Sequence, residues 1–200
     1  MDNRTAYIFI GRSGCGKGTQ AKKLIESLTA NDERLKTGAD HILYSETGQL
    51  FRDFIETDNY SAGLSRQLMA KAEFQPTFLA VWIWARVLVD KMDDHTHIVF
   101  DGTPRSRIEA EVLDTALSFY GFSRKIVIHL DVSRDWSKKR LLARGRKDDN
   151  DADIERRLDW YETEVKSAVD FYNDHSDYRR LDIDGTRSIE EVHADLIGQL

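Results

Sequence analysis

Residues 11–20 read Gly-Arg-Ser-Gly-Cys-Gly-Lys-Gly-Thr-Gln and directly follow an apolar run at residues 7–10. The order is a short strand-like run, a glycine loop that carries a lysine, and a segment compatible with a helix. Glycines let backbone N–H groups approach phosphate oxygens, and the N-terminus of the following helix favours an anion. This stretch predicts a phosphate-binding loop in which Lys17 meets the outer phosphates; the alternative is a glycine turn that binds nothing.

One position in this loop departs from the general motif, in which a Ser or Thr directly follows the lysine and holds Mg²⁺. Gly18 takes that place here, and the hydroxyl comes one residue later, at Thr19. A bound metal ion therefore cannot rely on a hydroxyl next to Lys17.

Strand-like runs alternate with helical patterns along the chain, which indicates an α/β fold built on a parallel sheet. We expect a three-layer P-loop fold with a central parallel five-stranded sheet, and ligands at the carboxyl ends of its strands. The strand-like runs lie at residues 5–10, 42–44, 97–100, 125–130 and 178–183, and the helical patterns lie near 17–29, 46–57, 62–72, 76–92, 106–119, 133–143, 152–173 and 188–199.

The composition excludes several classes of protein. The 200 residues include 29 basic and 35 acidic side chains, and the net charge of −6 argues against a nucleic-acid partner. The single cysteine excludes a disulfide framework and a multi-cysteine zinc site. Apolar runs are too short to span a membrane, and residues 1–4 lack a signal-peptide pattern. We expect a cytoplasmic protein with no membrane partner.

Two further segments carry charges suited to phosphate. Residues 99–105 read Val-Phe-Asp-Gly-Thr-Pro-Arg, so Asp101 ends an apolar strand and Arg105 follows at the same sheet edge. An aspartate beside a phosphate loop can hold the water shell of Mg²⁺, although Asp-Gly alone indicates just a turn. Residues 47–52 read Thr-Gly-Gln-Leu-Phe-Arg, and Arg52 lies one turn into a predicted helix, where it could bind a second phosphate.

A group of arginines follows later in the chain. Arg140 and Arg144 share one face of a predicted helix, while Arg146 and Arg157 flank the acidic run at residues 148–153. Each could belong to a solvated charged face. Phosphoryl transfer, however, requires several positive groups around the migrating phosphoryl group, and the acidic run could pair with them in a hinged lid.

Together these segments resemble the adenylate kinase family of nucleoside monophosphate kinases, in the correct order and over essentially the whole chain. The family's Gly-x-Pro-Gly-x-Gly-Lys-Gly-Thr-Gln matches residues 11–20 with Ser13 in place of proline. Its Thr-Gly-Asp-x-x-Arg matches residues 47–52 with Gln49 in place of aspartate, and its Asp-Gly-Phe-Pro-Arg matches residues 101–105 with Thr103 in place of the aromatic residue.

The resemblance implies one kinase domain over residues 1–200, with a helical insert for the nucleoside monophosphate (NMP) at about 45–75 and a short lid at about 144–154. This lid is too short for a zinc-bearing insert, so we expect Mg²⁺ with ATP, no structural zinc, and a monomer. The implied ATP-binding residues are Ser13, Gly14, Cys15, Gly16, Lys17, Gly18, Thr19, Arg140, Arg144 and Thr186.

The resemblance also implies the acceptor and catalytic residues. Arg52 and Arg105 would grip the acceptor phosphate, and Asp101 would orient water on Mg²⁺. The implied NMP-binding residues are Thr47, Gly48, Arg52, Gln75, Gly102, Arg105, Glu109, Arg146 and Arg157, and the implied catalytic residues are Lys17, Arg105, Arg144, Arg146 and Arg157.

Two departures concern the acceptor base. Glu109 stands where the family has a glutamine, and Gln75 stands where an apolar residue is usual. An ionised Glu109 could only accept hydrogen bonds, which suits guanine better than adenine. Alternatively, Glu109 turns outward or pairs with Arg107, and backbone groups near Gln75 and Thr47 read adenine.

The expected function is transfer of the γ-phosphoryl group of ATP to AMP or another NMP. Two alternatives remain open on the sequence. One is a nucleotide-binding regulatory module with weak catalysis; the other is a P-loop kinase whose acceptor is a non-adenine NMP or a small metabolite.

Overall fold

The computed structural model describes residues 4–145 and 150–200. Within them lies a five-stranded sheet in which every pairing is parallel, in the order β2-β3-β1-β4-β5. This confirms the predicted α/β fold. The strands are β1 (Thr5–Gly11), β2 (His41–Glu46), β3 (Thr96–Asp101), β4 (Arg124–Asp131) and β5 (Tyr178–Asp184).

Helices connect these strands and cover both faces of the sheet. A π-helical turn (Tyr161–Val165) joins α8 to α9, so the predicted helix at 152–173 is one continuous element with a widened turn inside it. The helices are α1 (Lys17–Asn31), α2 (Glu33–Thr37), α3 (Thr47–Ile55), α4 (Tyr60–Ala70), α5 (Thr77–Lys91), α6 (Arg107–Phe119), α7 (Arg134–Arg144), α8 (Asp151–Trp160), α9 (Lys166–Asn173) and α10 (Ile189–Gly198). No helix in the described ranges is both long and apolar enough to cross a membrane.

The core forms on both sides of the sheet because alternate strand residues point to opposite faces. Ile8 belongs to a cluster with Trp84 of α5 and Leu113 of α6, and all three are fully buried. Phe9 belongs to a second cluster that includes Leu24 of α1. Since every residue of β1 is buried, the strand is held firmly in the sheet, and the glycine loop begins at a fixed place on the carboxyl edge of the sheet.

Helices α3 and α4 have a small core of their own between β2 and α5. Phe51 and Phe54 of α3 pack with Ala62 of α4 and with Leu79 and Ile83 of α5. These two helices occupy the segment in which the sequence predicts the NMP-binding insert. Their cluster holds the first residues of α3 next to the end of β3.

The start of β2 is fixed by an ion pair. Arg34 of α2 donates two hydrogen bonds to the carboxylate of Asp40, at 2.6 and 2.7 Å, and Nε2 of His97 lies 3.8 Å from Asp40 Oδ2. The hydrogen bonds from Arg34 lower the pKa of Asp40 to about 2. Since His97 belongs to β3, the Asp40 carboxylate lies where α2, β2 and β3 meet.

We expect this pair to support the fold against acid. The pKa of Asp40 is lower in the folded protein than the ordinary 3.8, so its contribution is present above pH 4 and is lost as the pH falls toward 2. Arg34→Gln should therefore move the midpoint of acid unfolding, followed by circular dichroism, to a higher pH. Lys36→Gln removes the same charge from α2 and should leave the midpoint unchanged; equal midpoints for the two variants would contradict this role.

Candidate active site

The phosphate loop lies between β1 and α1, at the carboxyl edge of the sheet. Gly16 precedes α1 with a φ of +103°, a left-handed conformation that other residues rarely adopt. Nζ of Lys17 donates to the backbone carbonyl oxygens of Gly11 and Arg12, each at 2.9 Å. Cys15 is buried beneath the loop, and burial raises the pKa of its thiol. The loop thus holds the Lys17 ammonium group against its own backbone.

Asp101 lies beside this loop because β3 is the neighbour of β1. Its backbone pairs with Phe9, and its Oδ2 accepts a hydrogen bond of 3.0 Å from the hydroxyl of Tyr44. A Cβ added to Gly18 would lie 2.9 Å from the same Oδ2. The Asp101 carboxylate therefore occupies the space that a side chain at position 18 would need, which explains why a glycine follows Lys17.

The residues around Asp101 fit a magnesium ion that arrives with a nucleotide. Mg²⁺ keeps several waters and is usually bound through one or two carboxylates together with substrate phosphates. Asp101 supplies one such carboxylate next to the phosphate loop. In residues 4–145 and 150–200 no group of three or more His, Cys, Asp or Glu side chains is placed to hold a metal.

Two arginines converge on the start of α3. A Cβ added to Gly48 would lie 3.4 Å from Nη1 of Arg52 and 3.9 Å from Nη2 of Arg105. Nε of Arg105 donates to the carbonyl oxygen of Gly102 at 2.8 Å, and Nη2 of Arg52 donates to Glu46 at 2.9 Å. The structure thus brings together two predicted phosphate-binding side chains that are 53 positions apart in the sequence.

The electrostatics of Arg105 show which charges surround it. Burial is the main cause that lowers its pKa, and the charges of Arg157 and Arg52 lower it further. Glu109 and Asp101 act in the opposite direction. Two carboxylates and two arginines therefore surround the guanidinium group of Arg105, and the carboxylates have the larger effect on its pKa.

Thr103 replaces the aromatic residue of the family motif, and its hydroxyl has a partner. Oγ1 of Thr103 lies 2.5 Å from Oγ1 of Thr47, and both side chains are buried. This pair ties the first residue of α3 to the loop after β3.

Glu109 is 3% exposed, and burial raises the pKa of its carboxyl group. Its Oε2 atom has no hydrogen-bond partner in the described part of the chain. Arg107 pairs instead with Glu111, at 3.1 Å. The interpretation in which Glu109 turns outward or pairs with Arg107 is therefore wrong. The side chain of Gln75 has partners within the protein, because its amide exchanges hydrogen bonds with Ser65 at 2.8 and 3.1 Å.

A pocket of about 100 Å³ lies on the other side of the phosphate loop. The guanidinium carbon of Arg140 is 5.4 Å from the centre of the Trp136 ring, so the two side chains stack at its edge. The side chain of Thr186 turns back and donates to Asp184 at 2.6 Å. The lining residues are Cys15, Gly16, Thr19, Gln20, Trp136, Arg140, Gly185, Arg187, Ser188, Ile189 and Val192.

Comparison with known proteins shows which family the chain belongs to. The family model described as adenylate kinase matches residues 9–177. The chain belongs to the adenylate kinase family. It is 32% identical over 192 residues to adenylate kinase 1 of Nostoc sp., and the aligned residues cover 96% of each protein. It is also 30% identical over 198 residues to the adenylate kinase of Thermus thermophilus, and the aligned residues cover 97% of this chain and 96% of that protein.

In this member of the adenylate kinase family, two of the remaining predicted arginines lie on helices α7 and α8. Arg144 is the last residue of α7, and Gly145 ends the helix with a φ of +61°. Arg157 lies in the second half of α8, which begins at Asp151. Arg146 lies outside the described residues, as do the neighbouring predicted lid residues 147–149.

The side chains that line the pocket and that sequence reasoning missed include Trp136 and Arg187. A signal existed for Trp136, because it lies four positions before Arg140 and thus on the same face of the predicted helix. Arg187 directly follows Thr186, a predicted ATP-binding residue, and its orientation toward the pocket depends on the turn at residues 184–186 after β5.

The contact at Gly18 leads to a test. We expect Gly18→Ala to displace the Asp101 carboxylate, because its new Cβ would lie 2.9 Å from Oδ2. The rate of phosphoryl transfer should fall by roughly 100-fold, the usual scale for loss of one electrostatic contact in a site. Gly63→Ala, in α4, is a matched control because its Cβ would meet open space. Transfer by Gly18→Ala within twofold of wild type, with the fold intact by circular dichroism, would contradict this account.

Proposed function

We propose that this chain is an adenylate kinase that transfers the γ-phosphoryl group of ATP to AMP and produces two molecules of ADP. One observation carries the proposal: the phosphate loop with Lys17 and the pair of Arg52 and Arg105 lie at the same edge of the sheet, with Asp101 next to the loop and Gly102 next to Arg105. Two phosphate groups held there would lie close to each other and to a carboxylate suited to Mg²⁺.

Phosphoryl transfer requires that the donor and acceptor phosphates are correctly positioned and that their negative charge is stabilised. The acceptor phosphate is already an anionic nucleophile, so no side chain needs to remove a proton. Lys17 and the loop N–H groups hold the donor phosphates, and Arg52 and Arg105 hold the acceptor phosphate. Asp101 would hold a Mg²⁺ ion through its waters, and that ion would supply positive charge to neutralise developing negative charge when bound with ATP.

The other arginines complete this proposal. Arg144, Arg146 and Arg157 stabilise the transferring phosphoryl group, and Arg140 packs on the base of ATP in the pocket that it shares with Trp136. Closure of the lid would exclude water and prevent hydrolysis of ATP. We also propose that the protein acts as a cytoplasmic monomer, and its net charge of −6 argues against a nucleic-acid partner.

A protonated Glu109 would suit adenine as the acceptor base. A carboxyl group whose pKa is raised by burial carries its proton to a higher pH than an exposed one. The neutral form offers one O–H donor and one C=O acceptor, the same pair that a glutamine amide offers. It can therefore donate to N1 of adenine and accept from the N6 amine, whereas the ionised form can only accept.

The function is tested by a screen of AMP, GMP, CMP, UMP and dTMP as acceptors for ATP. We expect AMP to give the highest kcat/KM, and Lys17→Ala and Arg105→Ala each to lower turnover roughly 10²- to 10³-fold. Lys22→Ala and Arg107→Ala remove exposed charges nearby and should remain active. Near-normal turnover in Lys17→Ala or Arg105→Ala, with an unchanged circular dichroism spectrum, would refute the assignment.

The base preference has its own test. We expect the AMP-to-GMP ratio of kcat/KM to fall as the pH rises and Glu109 loses its proton, since the ionised form cannot donate to N1. Glu109→Gln should make the ratio independent of pH. At the alkaline end it should raise the ratio about tenfold, equivalent to about 1.4 kcal/mol. If the two proteins give ratios within twofold of each other throughout, Glu109 does not read the base.

A further inference from the structure

Arg12 is a residue of the phosphate loop that the proposed chemistry does not use. Its Nε donates to the carbonyl oxygen of Val132 at 2.9 Å, and its Nη1 lies 2.5 Å from Oε1 of Glu162. Its guanidinium carbon is 3.9 Å from the centre of the Tyr161 ring. The side chain is 15% exposed. Arg12 therefore joins the loop after β1, the loop after β4 and the helix that follows the lid.

The Tyr161 ring is a fixed surface for this contact. Its hydroxyl lies 3.0 Å from Nε2 of His129, and Nδ1 of His129 lies 2.8 Å from Oδ1 of Asp182. Burial raises the pKa of Tyr161 to about 12, so the phenol stays neutral at physiological pH. The sheet strands β4 and β5 thus hold one end of the ring while Arg12 covers its face.

Tyr161 and Glu162 are the first two residues of the π-helical turn between α8 and α9. A π turn is rare and occurs as a single widened turn within α-helices, frequently at functional sites. The guanidinium group of Arg12 lies over the ring of Tyr161 and forms an ion pair with Glu162. These contacts therefore set where this turn lies relative to the phosphate loop.

Arg157 lies one helical turn before Tyr161, and residues four apart lie on one face of a helix. Its charge acts on Arg105, so it is directed toward the acceptor side of the site. The position of Arg157 beside Arg105 thus depends on the turn that Arg12 contacts. Small displacements of a reacting or stabilising group carry a large cost, roughly 10²-fold for 1 Å.

We propose that Arg12 is a positioning residue for phosphoryl transfer, which fixes Arg157 near Arg105 through its contacts with Tyr161 and Glu162. The inference rests on the proposed function, because Arg157 is there assigned to the transferring phosphoryl group. It differs from a role in stability alone, because the placement of a second arginine affects the rate of phosphoryl transfer.

A double-mutant cycle tests this proposal. We expect Arg12→Ala to lower kcat roughly 10- to 100-fold while KM for ATP and AMP stays within about twofold. If Arg12 acts through Arg157, the Arg12→Ala/Arg157→Ala protein should be no slower than Arg157→Ala alone. Additive losses in this cycle would overturn the proposal. Arg34→Ala, which breaks an arginine–carboxylate pair on the remote helix α2, serves as the control for kcat.

A second cycle with Lys17→Ala separates positioning from distortion of the loop. Losses from Arg12→Ala and Lys17→Ala should add, because Lys17 donates to the backbone carbonyl of residue 12, which the alanine retains. Coupling to Lys17 without coupling to Arg157 would overturn the proposal. Arg12→Lys keeps a positive charge near Glu162 and loses the planar group that covers Tyr161. It should share the loss in kcat, and it replaces Arg12→Ala in both cycles should that variant fail to fold.

One readout does not depend on turnover. In the ligand-free protein, Arg12→Ala or Arg12→Lys should accelerate amide hydrogen exchange at residues 157–165 and leave α6 unchanged. Unchanged exchange at residues 157–165 would overturn the proposal even if the kinase is active. Absence of phosphoryl transfer in the wild-type protein would instead refute the proposed function, while the exchange measurement would still decide whether Arg12 holds the turn.

Discussion

The approach of the first turn of α1 to the end of β3 is the contact on which the site depends. It places Gly18 so close to Asp101 that a Cβ would lie 2.9 Å from the carboxylate. This approach follows from the topology, because β1 and β3 are parallel neighbours and end at the same edge. A lysine-bearing loop and a carboxylate are thereby held together in the protein before any ligand arrives, as preorganised electrostatic stabilisation requires.

The positive side chains of the site each have local partners in the free protein. Lys17 donates to carbonyl oxygens of its own loop, Arg105 donates to Gly102, and Arg52 pairs with Glu46. These partners keep several like charges at one sheet edge without leaving any of those three side chains unpaired. Phosphate oxygens could replace such partners with little movement, which keeps the ordering cost of binding low.

The sequence was a good guide wherever local pattern decides structure. The apolar run before Gly11 predicts a buried strand, and the glycines and Lys17 predict the loop; both are found in the structure. Contacts between distant positions carry no such local signal. The burial of Glu109 depends on packing against other elements, and the grip of Arg12 on Tyr161 joins residues 149 positions apart. The short helix α2 was missed because it has a single apolar residue, Leu35, and depends on its Asp32 cap.

The central claim is that this site passes a phosphoryl group directly from one nucleotide to another. The most direct measurement follows the fate of ATP labelled in its γ-phosphate, incubated with the protein, Mg²⁺ and AMP. The account predicts that the label appears as the β-phosphate of ADP, with little inorganic phosphate released. Label that remains in ATP, or that appears mainly as inorganic phosphate, would contradict it.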